Sequence, residues 1–457
     1  MNPIGPREVV RSGLCIGCGT CVAQATTPAV HMQFDDHGQL RPHGPAGWNN
    51  DPALFARTCP FSPSAADEDT LAAELFPQVS RQDRSVGRVL QAYVGFVAEQ
   101  DFREHGSSGG MTSWVASELL RRGWVDAVAH VHATDDPKED GRFFRYRLSR
   151  SEKEVREGAK SRYYPVEMSD VLRTMQAEAG RYAVIGIPCF IKAVQLMRRE
   201  HPVLRERIRY TLGLFCGHMK SARFVESLAW QMGVPLSEVA RVDFRRKIPD
   251  RPANWYNATL TLRDGSVASK DWWHLADGDW GAGFFMDAAC NFCDDVTAET
   301  ADVSFGDAWV EPYSSDWQGT NVVVVRSPAI AELMSEAIED GRLKLEPVDA
   351  GFVARTQAAG LRQRREGLAY RLARRRSALQ PRKRFAADAH APSARRRILY
   401  RMRQAISAGS HRMFGLARRS GLKRLYIGWA SIVGSVYHAL AYPRGRVDKL
   451  AERMGLR

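Results

Sequence analysis

Cys15, Cys18 and Cys21, in the run SGLCIGCGTC near the start of a chain of 457 residues, restrict the fold more than any other feature. Three thiolates at i, i+3 and i+6 curl round one corner of an iron-sulfur cubane. Small residues between them, here Gly17 and Gly19, let backbone amides approach the sulfurs. A fourth thiolate is needed. Bacterial ferredoxins supply it after three intervening residues and follow it with proline, but that position here is Ala25. The nearest substitute is Cys59, followed by Pro60, in ARTCPF. Cys15, Cys18, Cys21 and Cys59 are therefore expected to hold one 4Fe-4S cluster across a long loop. Four thiolates also suit tetrahedral zinc, although zinc sites usually pair two separated C-x2-C motifs rather than use a triple. Buried unliganded thiols are the remaining alternative.

Four further cysteines complete the total of eight. Cys189 follows the apolar run in VIGIPCF, Cys216 ends TLGLFCG, and Cys290 and Cys293 form the C-x2-C of DAACNFCDD. Two thiols at strand ends and one close pair would make a second 4Fe-4S site if the fold brings them together. A single cysteine after a strand is otherwise a small core residue or a reactive thiol, and Cys189 as a redox or nucleophilic thiol is the alternative. No basic and apolar leader with a small-residue cleavage site precedes these cysteines, so the expectation is a reducing, cytoplasmic setting.

The formal net charge of +13 is unevenly distributed. Residues 371 to 457 hold 22 Lys and Arg against 3 Asp and Glu, whereas the first 370 hold 43 basic and 49 acidic residues. Any argument from charge about partners therefore concerns the tail. Residues 1 to about 70 are punctuated by glycine, proline and cysteine, as in a small ligand-stapled module, and the polar stretch VSRQDRSVGR reads as a link. From about Val89, apolar strands such as VLQAYVGFVA, YAVIGI and NVVVVRS alternate with helical patterns such as GMTSWVASELLRRG and AIAELMSEAIEDG. The expected fold class is α/β (mixed α+β): a catalytic body at 88–360, a small N-terminal ferredoxin-like iron-sulfur module at 1–70, and a basic helical C-terminal extension at 371–457. Leu425 to Tyr442 contain no Lys, Arg, Asp or Glu. Eighteen such residues diluted by glycine, serine and histidine are borderline for a membrane span. They suit either the surface of an anionic membrane, at its inner face, or a helical pair packed on the body.

Three weaker motifs complete the inventory. HGSSGGMTSW places small residues before a helical pattern, where free amides would receive a phosphate or another anion, or form a turn without that role. KSRYY offers a cation, a hydroxyl and two aromatic faces, as a flavin diphosphate and ring would require, or a partly packed loop. DVSFGDAW joins a short strand to two acids that would orient a cofactor or cap the turn.

In their order along the chain, GSSGGMTS, GIPCF, LFCGH, DFRRK and CNFCDDVTAETADVSFGDAW resemble the coenzyme F420 hydrogenase/dehydrogenase beta-subunit family, from about Val89 to Asp349. That family includes subunits acting on the deazaflavin hydride carrier and also 7-hydroxymethyl chlorophyll a reductase. The late fourth cysteine makes the front module more similar to the latter branch. The resemblance implies FAD, with Ser107, Ser108, Gly109, Gly110, Thr112, Lys160, Ser161 and Tyr163 as contacts and Gly306 and Asp307 nearby. It also places a cluster on Cys189, Cys216, Cys290 and Cys293. One departure is Phe190, where the family usually has glutamine after the proline-cysteine pair, which puts the substrate pocket in question.

The expected function is an iron-sulfur flavoprotein oxidoreductase. It would pass electrons between ferredoxin or another redox subunit, two 4Fe-4S clusters, FAD and a two-electron acceptor, either coenzyme F420 or an organic substrate. The competing reading is a non-enzymatic protein acting on a membrane or nucleic acid through its basic tail, with metal sites as staples. That reading leaves the cofactor motifs unexplained, and nucleic acid is not the expected partner.

Overall fold

The apolar runs read as buried strands lie side by side in one eight-stranded sheet. Its order is Leu343–Pro347, Gln91–Val97, Asn321–Val325, Val303–Asp307, Ile208–Leu214, Tyr182–Gly186, Ala127–Ala133 and Phe144–Ser149. The strands from Val303–Asp307 to Ala127–Ala133 are parallel to one another, and antiparallel strands extend the sheet on both sides. The computed structural model describes residues 4–49, 51–390 and 392–442; the last part of the Arg-rich extension, 443–457, lies outside these residues.

Side chains on a strand alternate between faces, so a strand buried on both sides must be apolar throughout. Tyr182 and Val184 enter one core with Phe190, Val194 and Met197 of the Pro188–Glu200 helix. Ala183 and Ile185 enter the opposite core with Trp114 and Val115 of the Met111–Arg121 helix. Helices on both faces of a largely parallel sheet make a three-layer α/β body. In such sheets the usable crevice lies beyond the carboxyl ends of the parallel strands. Cys189 follows the Tyr182–Gly186 strand, Cys216 follows Ile208–Leu214, and Asp307 ends Val303–Asp307.

A second, three-stranded antiparallel sheet of Val239–Arg246, Asn257–Leu262 and Val267–Asp271 packs with the Arg223–Met232 helix. The same apolar cluster takes in Phe414, Ala417, Tyr426, Ala430 and Tyr437 of the C-terminal helices Ala394–Ser420 and Lys423–Ala441. Trp230 stacks on Phe414 with ring centroids 4.2 Å apart, and the Tyr426 hydroxyl donates to buried Asp277 at 2.9 Å. The C-terminal helices are thus a packed pair on the body. No described helix is long and apolar enough to cross a membrane.

The front segment shares its core with the body: Val9, Leu14, Ile16, Phe55 and Phe61 pack in one cluster with Met168, Leu172 and Phe190. The stretch expected as a polar link is also packed. Val79 and Val86 are buried, Gln82–Asp83 pairs with Gly87–Arg88, and the Arg88 guanidinium donates to the Phe76 and Val79 carbonyls. Two apolar residues with a satisfied arginine outweigh the polar composition of that stretch.

Part of the Arg-rich extension is interior. Lys383 Nζ lies 2.8 Å from Asp294 Oδ1, and Arg384 makes a two-pronged contact with Glu299. Both partners of the first pair are almost completely buried, so removing Lys383 leaves the Asp294 charge with Arg384 alone, at 3.4 Å. Lys383→Met should therefore destabilise the fold by about 3–5 kcal/mol, read as a lower urea midpoint. The double variant Lys383→Met/Asp294→Leu should recover most of that loss.

Candidate functional site: two thiol sets and a cationic crevice

The loop bearing Cys15, Cys18 and Cys21 turns tightly because Gly17 and Gly19 take left-handed conformations, with φ of 74° and 84°. A Cβ on Gly17 would meet the Leu40 carbonyl oxygen at 2.6 Å, and one on Gly19 would meet the Ser169 amide at 2.9 Å. Glycine is required at both positions. Cys59 follows the Pro52–Thr58 helix and returns to the same place: Cys15, Cys18, Cys21 and Cys59 line one cavity with Ile16, Phe55 and Phe61. Burial pushes the Cys18 thiol up to about 11, and Cys15, Cys21 and Cys59 are raised for the same reason. Thiols in so apolar a wall stay protonated unless a metal takes the proton's place.

Cys189, Cys216, Cys290 and Cys293, far apart in sequence, are drawn together beside the first set. Cys189, Cys290 and Cys293 share one core cluster with Cys18. The Met219 amide donates to Cys290 Sγ at 3.3 Å, and the Cys216 amide donates to the Val296 carbonyl at 2.9 Å. Burial raises all four thiols, Cys216 to about 12, and neighbouring thiols add to the rise at Cys189, Cys216 and Cys290. Arg41 ties the two sets: its guanidinium donates to the Cys15 carbonyl at 2.6 Å and to Asp287 Oδ2 at 3.0 Å, three residues before Cys290. Among the described residues, no three His, Cys, Asp or Glu side chains converge on the point a single metal ion would occupy. What the four front thiols share is the wall of a cavity. Two adjacent sets of four thiols, buried or partly buried and lined by apolar side chains or satisfied backbone, fit two four-thiolate clusters.

The third element is the crevice at the glycine-rich turn. Ser107 Oγ accepts from the Ser161 amide at 2.8 Å, which joins the turn to the Lys160–Tyr163 loop. Ser108 donates to the Thr320 carbonyl, Gly109 accepts from Val97, and Gly110 has φ of 86° ahead of the Met111–Arg121 helix, where Thr112 occupies the first turn. Lys160 sits at φ of 92° and 3.7 Å from Asp243. Asp307 is held by Arg245 through two bonds of 2.9 and 3.1 Å. A Cβ on Gly306 would strike the Phe215 ring at 2.1 Å. Asp302, by contrast, accepts from both the amide and the hydroxyl of Thr211, so it is a structural cap.

Sequence reasoning singled out Lys160 but passed over two further cations of this crevice, Arg162 and Lys247. Arg162 donates to the Ala159 carbonyl, while its Nε has no partner among the described residues. Among the described residues Lys247 donates to two carbonyls, those of Arg103 and Ser108. Burial lowers Arg162 to about 10, and burial with the nearby Lys160 lowers Lys247 to about 7. Lys247, held on the turn itself, and Arg162, in the loop that Ser161 ties to the turn, fit an anionic diphosphate. The signal was present as the RRK of DFRRK for Lys247 and the KSR of KSRYY for Arg162. Between the crevice and Cys216 lies an aromatic bridge: Tyr163 to Trp280 at 4.6 Å, and Trp280 stacked on His218 at 4.1 Å. Phe190 is fully buried and stacked on Tyr146, so that position belongs to the core here.

Comparison with known proteins bears on this geometry. The chain matches the family of the coenzyme F420 hydrogenase/dehydrogenase beta subunit in both of its parts, the N-terminal one over residues 92–173 and the C-terminal one over 179–351. It belongs to the coenzyme F420 hydrogenase/dehydrogenase beta-subunit family. As a member of this redox family the chain is an oxidoreductase. It is 21% identical over 319 residues to the coenzyme F420-dependent sulfite reductase of Methanocaldococcus jannaschii, covering 65% of this chain and 43% of that protein. It is 22% identical over 305 residues to the F subunit of the F(420)H(2) dehydrogenase of Methanosarcina mazei, covering 65% of this chain and 77% of that one. The chain thus spans less than half of the first relative. Its fold is similar to a chain of the F420-reducing [NiFe] hydrogenase complex from Methanosarcina barkeri, with a TM-score of 0.51 and 15% identity over 67% of this chain and 100% of that one.

The crevice generates a pH prediction. Lys247, neutral above about pH 7 in the free protein, regains its proton when an anion arrives. Inorganic pyrophosphate should therefore bind with proton uptake and progressively more weakly as pH rises above about 7. Calorimetry in buffers of different ionisation enthalpy should show the uptake, and Lys247→Met should abolish it.

Proposed function

We propose that this chain is an iron-sulfur flavoprotein that passes electrons between ferredoxin or a partner redox subunit and a two-electron acceptor. In this reading Cys15, Cys18, Cys21 and Cys59 hold one 4Fe-4S cluster in a ferredoxin-like front segment, residues 1–70. Cys189, Cys216, Cys290 and Cys293 hold a second in the body, residues 88–360. Ser107 to Gly110, Thr112, Lys160, Ser161 and Tyr163, with Gly306 and Asp307, contact FAD. When bound, the clusters supply single-electron transfer and the flavin links it to two-electron chemistry.

The residues of the chain have definable tasks. The apolar walls round both thiol sets exclude water, and backbone donors such as the Met219 amide reach the sulfur atoms. Arg162 and Lys247 neutralise the diphosphate, and the Arg245–Asp307 pair fixes the far side of the crevice. The observation that carries the reading is the gathering of eight thiols from distant parts of the sequence into two adjacent buried sets. Coenzyme F420 as acceptor is supported by the names of the relatives, and a redox partner by the naming of one relative as part of a larger dehydrogenase. An organic acceptor is the alternative. A reducing cytoplasmic setting accords with eight cysteines that are all unpaired.

Anaerobic purification followed by iron, sulfide, zinc and flavin assays tests this. About eight iron, about eight sulfide and one FAD per chain are expected. Cys18→Ser should remove about half of the iron and leave FAD in place. Zinc without sulfide or flavin would overturn the reading.

A second reading concerns the Lys423–Ala441 helix. Ile432 and Val436 are 68% and 49% exposed on it, and Lys423 and Arg424 stand exposed in its first turn, a combination that suits an anionic membrane surface. The full chain should then co-sediment with phosphatidylserine vesicles at low salt and be released at high salt. Equal recovery with neutral vesicles would remove the electrostatic part of this reading.

A further inference from the structure

Three arginines beyond the family match surround the Cys290–Cys293 loop. Arg364, Arg371 and Arg403 are 3%, 4% and 7% exposed. Arg364 donates to the carbonyls of Cys290 and Gly217, the latter adjacent to Cys216. Arg371 Nε donates to the Asn291 carbonyl at 2.8 Å, while its Nη1 has no partner among the described residues. Arg403 donates to the Gly281 carbonyl at 2.7 Å and lies 3.3 Å from His218 Nδ1. Among the described residues none of the three has a carboxylate within ion-pair distance.

The adjacent buried charges do not supply counter-ions, because they are matched among themselves. Glu68, Asp294, Asp295 and Glu299 face Lys192, Lys383, Arg384 and Arg326. Asp287 is engaged by Arg41. Arg364 and Arg371 therefore remain in surplus round the second thiol set, and Arg403 is shared between Asp279 and Cys290. At the first set, Arg41 is engaged by Asp287 and Asp35, so among the described residues no comparable surplus exists there.

A buried guanidinium whose donors meet only carbonyl dipoles is costly without a compensating anion. A cubane held by four thiolates is a net anion and gains one more negative charge on reduction. We infer that Arg364, Arg371 and Arg403 are the counter-ions of the second cluster and raise its reduction potential above that of the first. The inference rests on reading Cys189, Cys216, Cys290 and Cys293 as cluster ligands, and it sets the preferred direction of transfer from the front set inward. It assigns a redox-tuning role to residues beyond the C-terminal end of the family match, with Arg371 and Arg403 inside the extension.

The test is an EPR-monitored redox titration of the anaerobic holoprotein after its iron and sulfide have been counted. Arg364→Gln should lower the midpoint of one centre by a tenfold or greater change in its one-electron reduction constant, about 59 mV, and leave the other in place. The affected centre should be the higher-potential one in the wild type and the one retained in Cys18→Ser. Arg364→Lys, which keeps the charge, should stay near the wild-type midpoint. Arg403→Gln should lower the same midpoint by a smaller step, which keeps the inference testable if Arg364→Gln loses its cluster. Fully loaded glutamine variants with unmoved midpoints would overturn the inference, as would an equal fall in Arg364→Lys, which would make the effect one of packing. A wild-type protein without iron and sulfide would overturn the cluster reading itself, and the metal assay would show this before any titration.

Discussion

The loop from Asp287 to Glu299 is the interaction on which the rest of the structure depends, because the front segment, the stretch beyond the body and the start of the extension are each fastened to it by a buried charge. Asp287 receives Arg41 from the front segment. The carbonyls of Cys290 and Asn291 receive Arg364 and Arg371 from beyond the body. Asp294 and Glu299 receive Lys383 and Arg384 from the extension. A charge taken out of water must find its partner in one geometry, so these contacts fix the register in which the front segment, the sheet and the extension meet. The same loop carries two of the eight cysteines.

That arrangement explains how a mixed sheet becomes a redox scaffold. The carboxyl ends of the parallel strands open a crevice, as sheets of this kind do, and Cys189, Cys216 and Asp307 stand at three of those ends. The front segment does not stand apart from the crevice. It shares a core with the Pro188–Glu200 helix, which brings Cys18 into the same apolar cluster as Cys189 and places the two thiol sets next to each other. From Cys216 the aromatic bridge through His218, Trp280 and Tyr163 leads to the cationic crevice.

The basic extension gains a different meaning in the fold than in composition. A surplus of 22 basic over 3 acidic residues suggests a surface for anionic partners. Yet Arg364 and Arg371, near its start, and Lys383, Arg384 and Arg403 within it are interior, while the remaining exposed cations and the apolar residues Ile432 and Val436 form the outer face. Charge counting cannot separate the two groups, since burial is decided by what lies opposite.

The sequence by itself determined the local elements and the candidate ligands. Apolar runs specified the strands at Gln91–Val97, Tyr182–Gly186 and Asn321–Val325, a 3.6-residue period specified the Met111–Arg121 helix, and C-x2-C-x2-C fixed three thiols on one loop. These are short-range properties, set by backbone geometry over a few residues. The motifs GSSGG and KSRYY were each ambiguous alone, and the bond between Ser107 and Ser161 that joins them spans 54 positions. Only the tertiary structure could decide that Val79 and Val86 are interior, that Lys247 reaches the Ser108 carbonyl of the glycine-rich turn, and that Arg364 meets the Cys290 carbonyl rather than solvent. The physical reason is the same in each case: burial and electrostatic pairing depend on which residues lie opposite in space, and a linear pattern contains no record of that.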